Sequence, residues 1–117
     1  MKKVIYYKKV NWDSSILDFI KILNKTNKKL LTKILFKIEL LSKWKLWNDD
    51  VKYIWNKIYE LRLKQFSNIS RIFYFTYSWD KIIILYGIIK KENKLKQSIL
   101  NKVKWYMDDF LKRTWNV

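Results

Sequence analysis

The stretch IIILYGIIKK, from Ile82 to Lys91, decides the fold of this chain. Between residues 82 and 89 it is apolar apart from Tyr86 and Gly87, so both of its faces have to be covered. A short run that is apolar on both faces is typical of a central β-strand, and it is far shorter than the ~20 residues of a membrane-spanning helix. We therefore expect a buried strand that ends in the lysine pair Lys90 and Lys91.

The segments before this strand alternate with the period of a β-sheet. In IYELRLK (residues 58–64) the charged residues Glu60, Arg62 and Lys64 occupy every second position, so they share one face. The segment RIFYFTY (residues 71–77) is joined to the central strand by four residues, which predicts an antiparallel hairpin.

The remainder of the chain is mainly helical in periodicity. The pattern predicts a strand over residues 4–10 and helices over residues 16–24, 28–44 and 96–113. In the second helix, Lys29, Lys33 and Lys37 are expected to face solvent. The order β-α-α-β-β-β-α predicts an α+β fold in which a helix hairpin covers one face of an antiparallel sheet and a C-terminal helix covers the other face or an edge. At 117 residues we expect a single domain, residues 1–117.

The charge balance favours a polyanionic partner. The chain has 26 basic and 10 acidic residues, a net charge of +16. Nucleic acid, anionic lipid and acidic protein all fit, and nucleic acid is favoured because the cations are spread along the whole chain. The chain has no His and no Cys, so we expect no cofactor and no metal. The start, MKKVIYYKKV, lacks the apolar core of a secretory signal, which predicts a cytoplasmic protein.

The cations of three predicted strands are expected to meet. If these strands are neighbours, ~4.8 Å apart, Arg62, Arg71, Lys90 and Lys91 can converge on one phosphodiester. Tyr86 shares the parity of Lys90 and is expected on the same face. Gly87 predicts a close approach by a backbone or a ligand.

Three segments in order resemble a known toxin family. IYELR, SRIFYF and IIILYGIIKK are similar to the progression lyELR, yRvlYf, ivlLhgFxKK of the phage-derived HigB branch of the RelE-like bacterial toxins. The resemblance covers residues 58–113. Here Tyr86 stands where the family has His, Ile88 where it has Phe, and Glu92 where it has Thr.

This resemblance implies a RelE-like domain and a toxin of a type II toxin–antitoxin pair. Such a toxin is a small, metal-independent RNase that enters the ribosomal A site and cuts mRNA during translation. The implied partners are the ribosome, mRNA and a HigA-like antitoxin with a helix-turn-helix, through which operator DNA would be contacted. The implied catalytic residues are Arg62, Arg71, Tyr86, Lys90 and Lys91.

The same residues suit metal-free RNA cleavage. The ribose 2′-oxygen attacks its own phosphate, so the enzyme removes one proton, donates another to the leaving 5′-oxygen and stabilises extra negative charge. Arg71 is the candidate for the transition-state charge and Arg62 for positioning the phosphate. Lys90 is a candidate for phosphate contact or proton transfer, and Tyr86 for base stacking or acid–base catalysis. Glu60 either orients Arg62 or acts itself.

Three alternatives remain open at this stage. The first is a non-catalytic RNA- or ribosome-binding protein, a degenerate toxin that binds without cutting. The second is a peripheral membrane protein that uses its basic amphipathic helices. The third is a metal nuclease, which the small number of carboxylates disfavours.

Overall fold

The elements follow one another in the order of an α+β fold. The computed structural model describes residues 1–46, 50–90 and 95–115. The elements are β1 (Lys3–Tyr6), α1 (Ser15–Thr26), α2 (Lys28–Ser42), β2 (Val51–Trp55), β3 (Ile58–Gln65), β4 (Asn68–Tyr77), β5 (Lys81–Lys90) and α3 (Gln97–Trp115). The predicted α+β class, with its helix hairpin and C-terminal helix, is confirmed. Within the described ranges, none of the helices has the length and apolar character of a membrane span.

All five strands belong to one sheet, in the order β1-β5-β4-β3-β2. As predicted, β5 is a central strand, and its residues Ile82–Leu85 are at most 1% exposed. Strands β2 to β5 pair antiparallel, but β1 lies parallel to β5, which makes the sheet mixed. Because β1 and β5 are far apart in sequence, no turn between them sets their direction.

The sheet separates two layers of helix. The hairpin α1–α2 packs on one face, where the core contains Ile16, Leu23, Leu30, Ile34, Ile38, Leu61, Ile72 and Ile84. Helix α3 packs on the other face, where the core contains Ile99, Val103, Tyr106, Met107, Phe73, Phe75, Ile83 and Leu85. Alternate residues of β3, β4 and β5 therefore face α3, and the candidate site residues are among them.

Side-chain caps define the hairpin between α1 and α2. The Ser14 hydroxyl accepts a hydrogen bond from the Leu17 amide at the start of α1, which is the usual role of a serine at this position. Asn27 alone separates the two helices. Its amide donates to the Leu23 carbonyl, and its side chain accepts from the Leu30 amide. One residue thus ends α1 and begins α2.

Two element predictions were wrong. The first strand ends at Tyr6 and not at Val10, because after the bond from the Tyr7 amide to the Ile84 carbonyl the chain turns away, with the Lys9 amide donating to the Asp13 carbonyl. Strand β2 (Val51–Trp55) was missed. It is an edge strand whose register shifts between Tyr53 and Trp55, so its alternation is broken.

The single glycine is close-packed against a helix. A Cβ atom on Gly87 would lie 2.8 Å from Cδ2 of Phe19 and 3.1 Å from Cδ1 of Ile72. The group that approaches Gly87 closely is the Phe19 ring of α1. The prediction that a backbone or a ligand would approach Gly87 was therefore wrong. Gly87 therefore sets how closely α1 approaches β5.

Candidate active site

The candidate residues lie in three rows across β3, β4 and β5. The row nearest the hairpin turn of β3 and β4 is Lys64, Ile69 and Lys90; the next is Arg62, Arg71 and Ile88; the third is Glu60, Phe73 and Tyr86. Within each row, the β4 residue is the direct cross-strand partner of both other residues. Arg71 and Lys90 are diagonal neighbours in adjacent rows, with Cα atoms about 7–8 Å apart. The register therefore brings Arg62, Arg71, Lys90 and Tyr86 to one face, the face on which α3 packs.

A buried carboxylate binds both arginines. Glu60 is 0% and Arg71 1% exposed. One terminal nitrogen of Arg71 (Nη1) donates to Oε1 and Oε2 of Glu60 at 3.0 and 2.9 Å. Nε of Arg62 lies 3.0 Å from Oε1 of the same carboxylate. Two arginines directly opposite each other across a strand pair would repel, and the shared carboxylate offsets that repulsion.

The two arginines differ in their access to a ligand. The side chain of Arg62 is 29% exposed, so it can offer a charge to a phosphate while Glu60 fixes its direction. The Arg71 side chain is 1% exposed and contacts Glu60 instead of solvent. Arg71 therefore fixes the position of the Glu60 carboxylate, which in turn orients Arg62. The assignment of Arg71 to the transition-state charge stays a prediction.

Tyr86 is half-buried among aromatic rings. Its ring centroid lies 6.4 Å from that of Phe73 and 6.3 Å from that of Tyr106 of α3. Nζ of Lys102, also on α3, lies 5.3 Å from the Tyr86 ring centroid. Sequence reasoning missed Lys102. Lys102 lies in the predicted helix over residues 96–113, next to Val103, which the structure shows to be buried.

The lysine pair is described only in part. Lys90 is the last residue of β5, is half-buried and lies opposite Ile69. Lys91 and Glu92 lie outside the described residues. Lys90 therefore holds the place that the alternation predicted, at the end of the row next to Arg71.

Lys37 was predicted to face solvent and instead supports the site from the other layer. Its Nζ donates to Oδ1 of Asp50 at 2.7 Å and to the backbone carbonyl of Arg62 at 3.1 Å. Residues four apart on a helix rotate by about 40° per step, so a row that begins at exposed Lys29 has turned toward the sheet by Lys37. This contact ties α2 to β3 at the backbone of Arg62.

A family model described as phage-derived protein Gp49-like (DUF891) matches residues 18–107, more than half of the chain. The chain belongs to the Gp49-like family. The match includes the three rows and most of α3. The Gp49-like family is of the RelE/HigB-like toxin type, and a toxin of this type has an antitoxin as its partner. A comparison with curated proteins gave no match.

Proposed function

We propose that this Gp49-like protein is the toxin of a type II toxin–antitoxin system and a ribosome-dependent mRNA endoribonuclease of the HigB branch. The observation that carries the proposal is the Arg62–Glu60–Arg71 cluster, which lies beside Lys90 and Tyr86 on one face of a chain of the RelE/HigB-like toxin type. The protein acts in the cytoplasm, where it cuts mRNA in the ribosomal A site and so inhibits translation.

The residues divide the reaction among them. The 2′-oxygen attacks the phosphorus and displaces the 5′-oxygen, which leaves a 2′,3′-cyclic phosphate and a 5′-hydroxyl. Arg62 binds a non-bridging oxygen, and Arg71 acts through Glu60 to hold Arg62 in place. Lys90 or Lys91 contacts the phosphate, and Tyr86 or one of these lysines transfers the protons. No metal or cofactor takes part.

The second candidate is a degenerate toxin that binds RNA or the ribosome without cutting. Two observations favour it: Tyr86 replaces the histidine that the resemblance leads one to expect, and Arg71 is bound by Glu60 away from solvent. Such a protein would inhibit translation by occupancy alone, without new RNA ends.

The deciding experiment maps new mRNA 5′ ends in a cell-free translation reaction, with and without ribosomes. Arg62→Ala is the informative variant, because Glu60 then keeps its fully buried partner Arg71, whereas Arg71→Ala would remove that partner. Lys43→Ala is the control, since Lys43 is exposed and paired to Glu39 at 3.1 Å. Ribosome-dependent cuts by the wild type and by Lys43→Ala, reduced about 100-fold or more in Arg62→Ala, support the proposal. Ribosome binding without cuts would instead support the degenerate toxin.

The partner proposed for this surface is a HigA-like antitoxin with an acidic segment and a helix-turn-helix. A net charge of +16 gives such a segment a strong electrostatic attraction. Contact with operator DNA would come only through the antitoxin.

A further inference from the structure

The tip of the β3–β4 hairpin presents an aromatic ring to solvent. Gln65 pairs with Asn68, so Phe66 and Ser67 form a two-residue turn. The Phe66 side chain is 91% exposed, and its φ is 55°. Gly, Asn or Asp usually occupy turn positions with positive φ, because a bulky side chain is strained there. The fold gains nothing from a strained, exposed phenylalanine, which indicates a role in binding.

Cations of the candidate site border this tip. Lys64 and Lys90 form the row nearest the turn, and Arg62 lies in the next row on the same face. Over residues 58–77 the single carboxylate is Glu60, which is buried between the two arginines. The surface between Arg62 and Phe66 is therefore cationic.

We propose that Phe66 is a stacking platform for an unpaired mRNA base close to the cleaved bond. The inference rests on the proposed function and adds a contact for the same substrate. An exposed ring next to a line of cations is the arrangement that binds single-stranded nucleic acid without reading its sequence. At about 3.3 Å per residue, Phe66 lies about 13 Å from Arg62. Lys64 and Lys90 lie in the row between them, where both can contact the RNA backbone.

The other hairpin turn provides a matched control. Trp79 lies in the β4–β5 turn and is 83% exposed, but the ten residues of β4 separate that turn from Phe66, so it is at the opposite end of the sheet. Trp79→Gly removes an exposed aromatic ring of similar character far from the site. Phe66→Gly removes the ring and also relieves the strained φ.

The experiment compares initial rates of mRNA cutting in the cell-free translation reaction at low toxin concentration. We expect Phe66→Gly to cut about 5- to 150-fold more slowly than the wild type, the range given by the loss of one base–aromatic stack. Phe66→Tyr keeps the ring and restores the rate, and Trp79→Gly cuts at the wild-type rate. The Tm of Phe66→Gly stays equal to or above that of the wild type, so the loss of activity is not a loss of folding.

Each other outcome overturns the inference in a recognisable way. If the wild type cuts and Phe66→Gly cuts equally fast, the stacking platform is wrong while the proposed function stands. If cutting is unchanged but the cognate antitoxin no longer neutralises Phe66→Gly, the ring belongs to the antitoxin interface. If the wild type does not cut mRNA, the proposed function fails and the inference fails with it.

Discussion

At the scale of single residues, the site depends on a carboxylate that no water reaches. Glu60 is 0% exposed and binds Arg71 and Arg62. A buried ion pair adds little net stability, but removal of one partner leaves a charge that is costly to bury. The arrangement therefore makes Arg71 a structural requirement, whereas the Arg62 side chain keeps 29% of its surface exposed.

This difference leads to unequal effects for the two arginines. We expect Arg71→Ala to lower the free energy of unfolding by about 3–5 kcal/mol, because Glu60 loses a fully buried partner. Arg62→Ala should lower it by about 1 kcal/mol, because the side chain is partly exposed. Urea denaturation of the wild type and both variants measures these values. Equal stability of the two variants would contradict the shared-carboxylate arrangement.

A buried tyrosine gives stability a dependence on alkaline pH. Burial raises the pKa of Tyr7, and its hydroxyl also donates to Oδ2 of Asp109 at 2.5 Å, which raises the pKa further. The folded state therefore keeps this proton above pH ~10, where the unfolded tyrosine releases it. The stability that Tyr7 contributes is complete below pH ~10 and decreases as the pH rises beyond it.

The matched variant isolates this contribution. We expect the difference in unfolding free energy between the wild type and Tyr7→Phe to fall above pH ~10, by up to about 1.4 kcal/mol per pH unit. Urea denaturation at several pH values on either side of pH ~10 measures it. A difference that stays constant across this range would show that Tyr7 does not hold its proton more tightly in the folded state.

At the scale of elements, turns decide where the short strands begin and end. The β2–β3 turn consists of Asn56 and Lys57, with φ values of 54° and 71°. A turn with two positive φ values matches the twist of a hairpin and is usually Asn-Gly. Lys57 is therefore strained by its side chain, while its amide donates to the Tyr53 hydroxyl at 3.4 Å.

Lys57→Gly should consequently stabilise the protein. We expect the free energy of unfolding to rise by about 0.5–1 kcal/mol, because glycine adopts this φ without strain and keeps the amide donor. Thermal unfolding monitored by circular dichroism is sufficient to detect the change. Lys52→Gly, within the neighbouring edge strand β2, should lower the free energy of unfolding. If both variants unfold at a higher temperature than the wild type, the positive φ of Lys57 does not explain the gain.

The same turns explain which elements could be predicted from sequence. The strands β3, β4 and β5 and the face shared by Arg62, Arg71 and Lys90 follow from period-two alternation and short connections. Strand β2 was missed because its turn has lysine in the place of glycine and its register shifts. The parallel pairing of β1, the contact of Lys37 with the Arg62 carbonyl and the burial of Arg71 depend on packing between distant segments, which no local pattern encodes.

At the scale of the whole molecule, the candidate site and a second cationic surface lie on opposite sides of the sheet. The candidate site lies on the α3 side, whereas Lys29 and Lys33 are exposed on α2, in the other helix layer. Under the proposed function, cations at this second surface contact ribosomal RNA phosphates without touching the cleaved bond. Binding to the ribosome and cutting of mRNA should therefore be separable by mutation.

Neutralising the α2 surface tests this separation. We expect Lys29→Gln/Lys33→Gln to raise the toxin concentration needed for half-maximal cutting while leaving the maximal rate unchanged, because phosphate contacts far from the reacting bond contribute equally to ground state and transition state. Each lysine removed from a phosphate should also reduce the slope of log affinity for ribosomes against log salt concentration by about 0.7–0.9, hence by about 1.4–1.8 for the pair.

Lys43→Gln, at the end of the same helix, is the control. Glu39 already compensates the charge of Lys43, so this variant should change the slope less. A fall in maximal rate with an unchanged salt slope would mean that α2 supports the site rather than binding the ribosome.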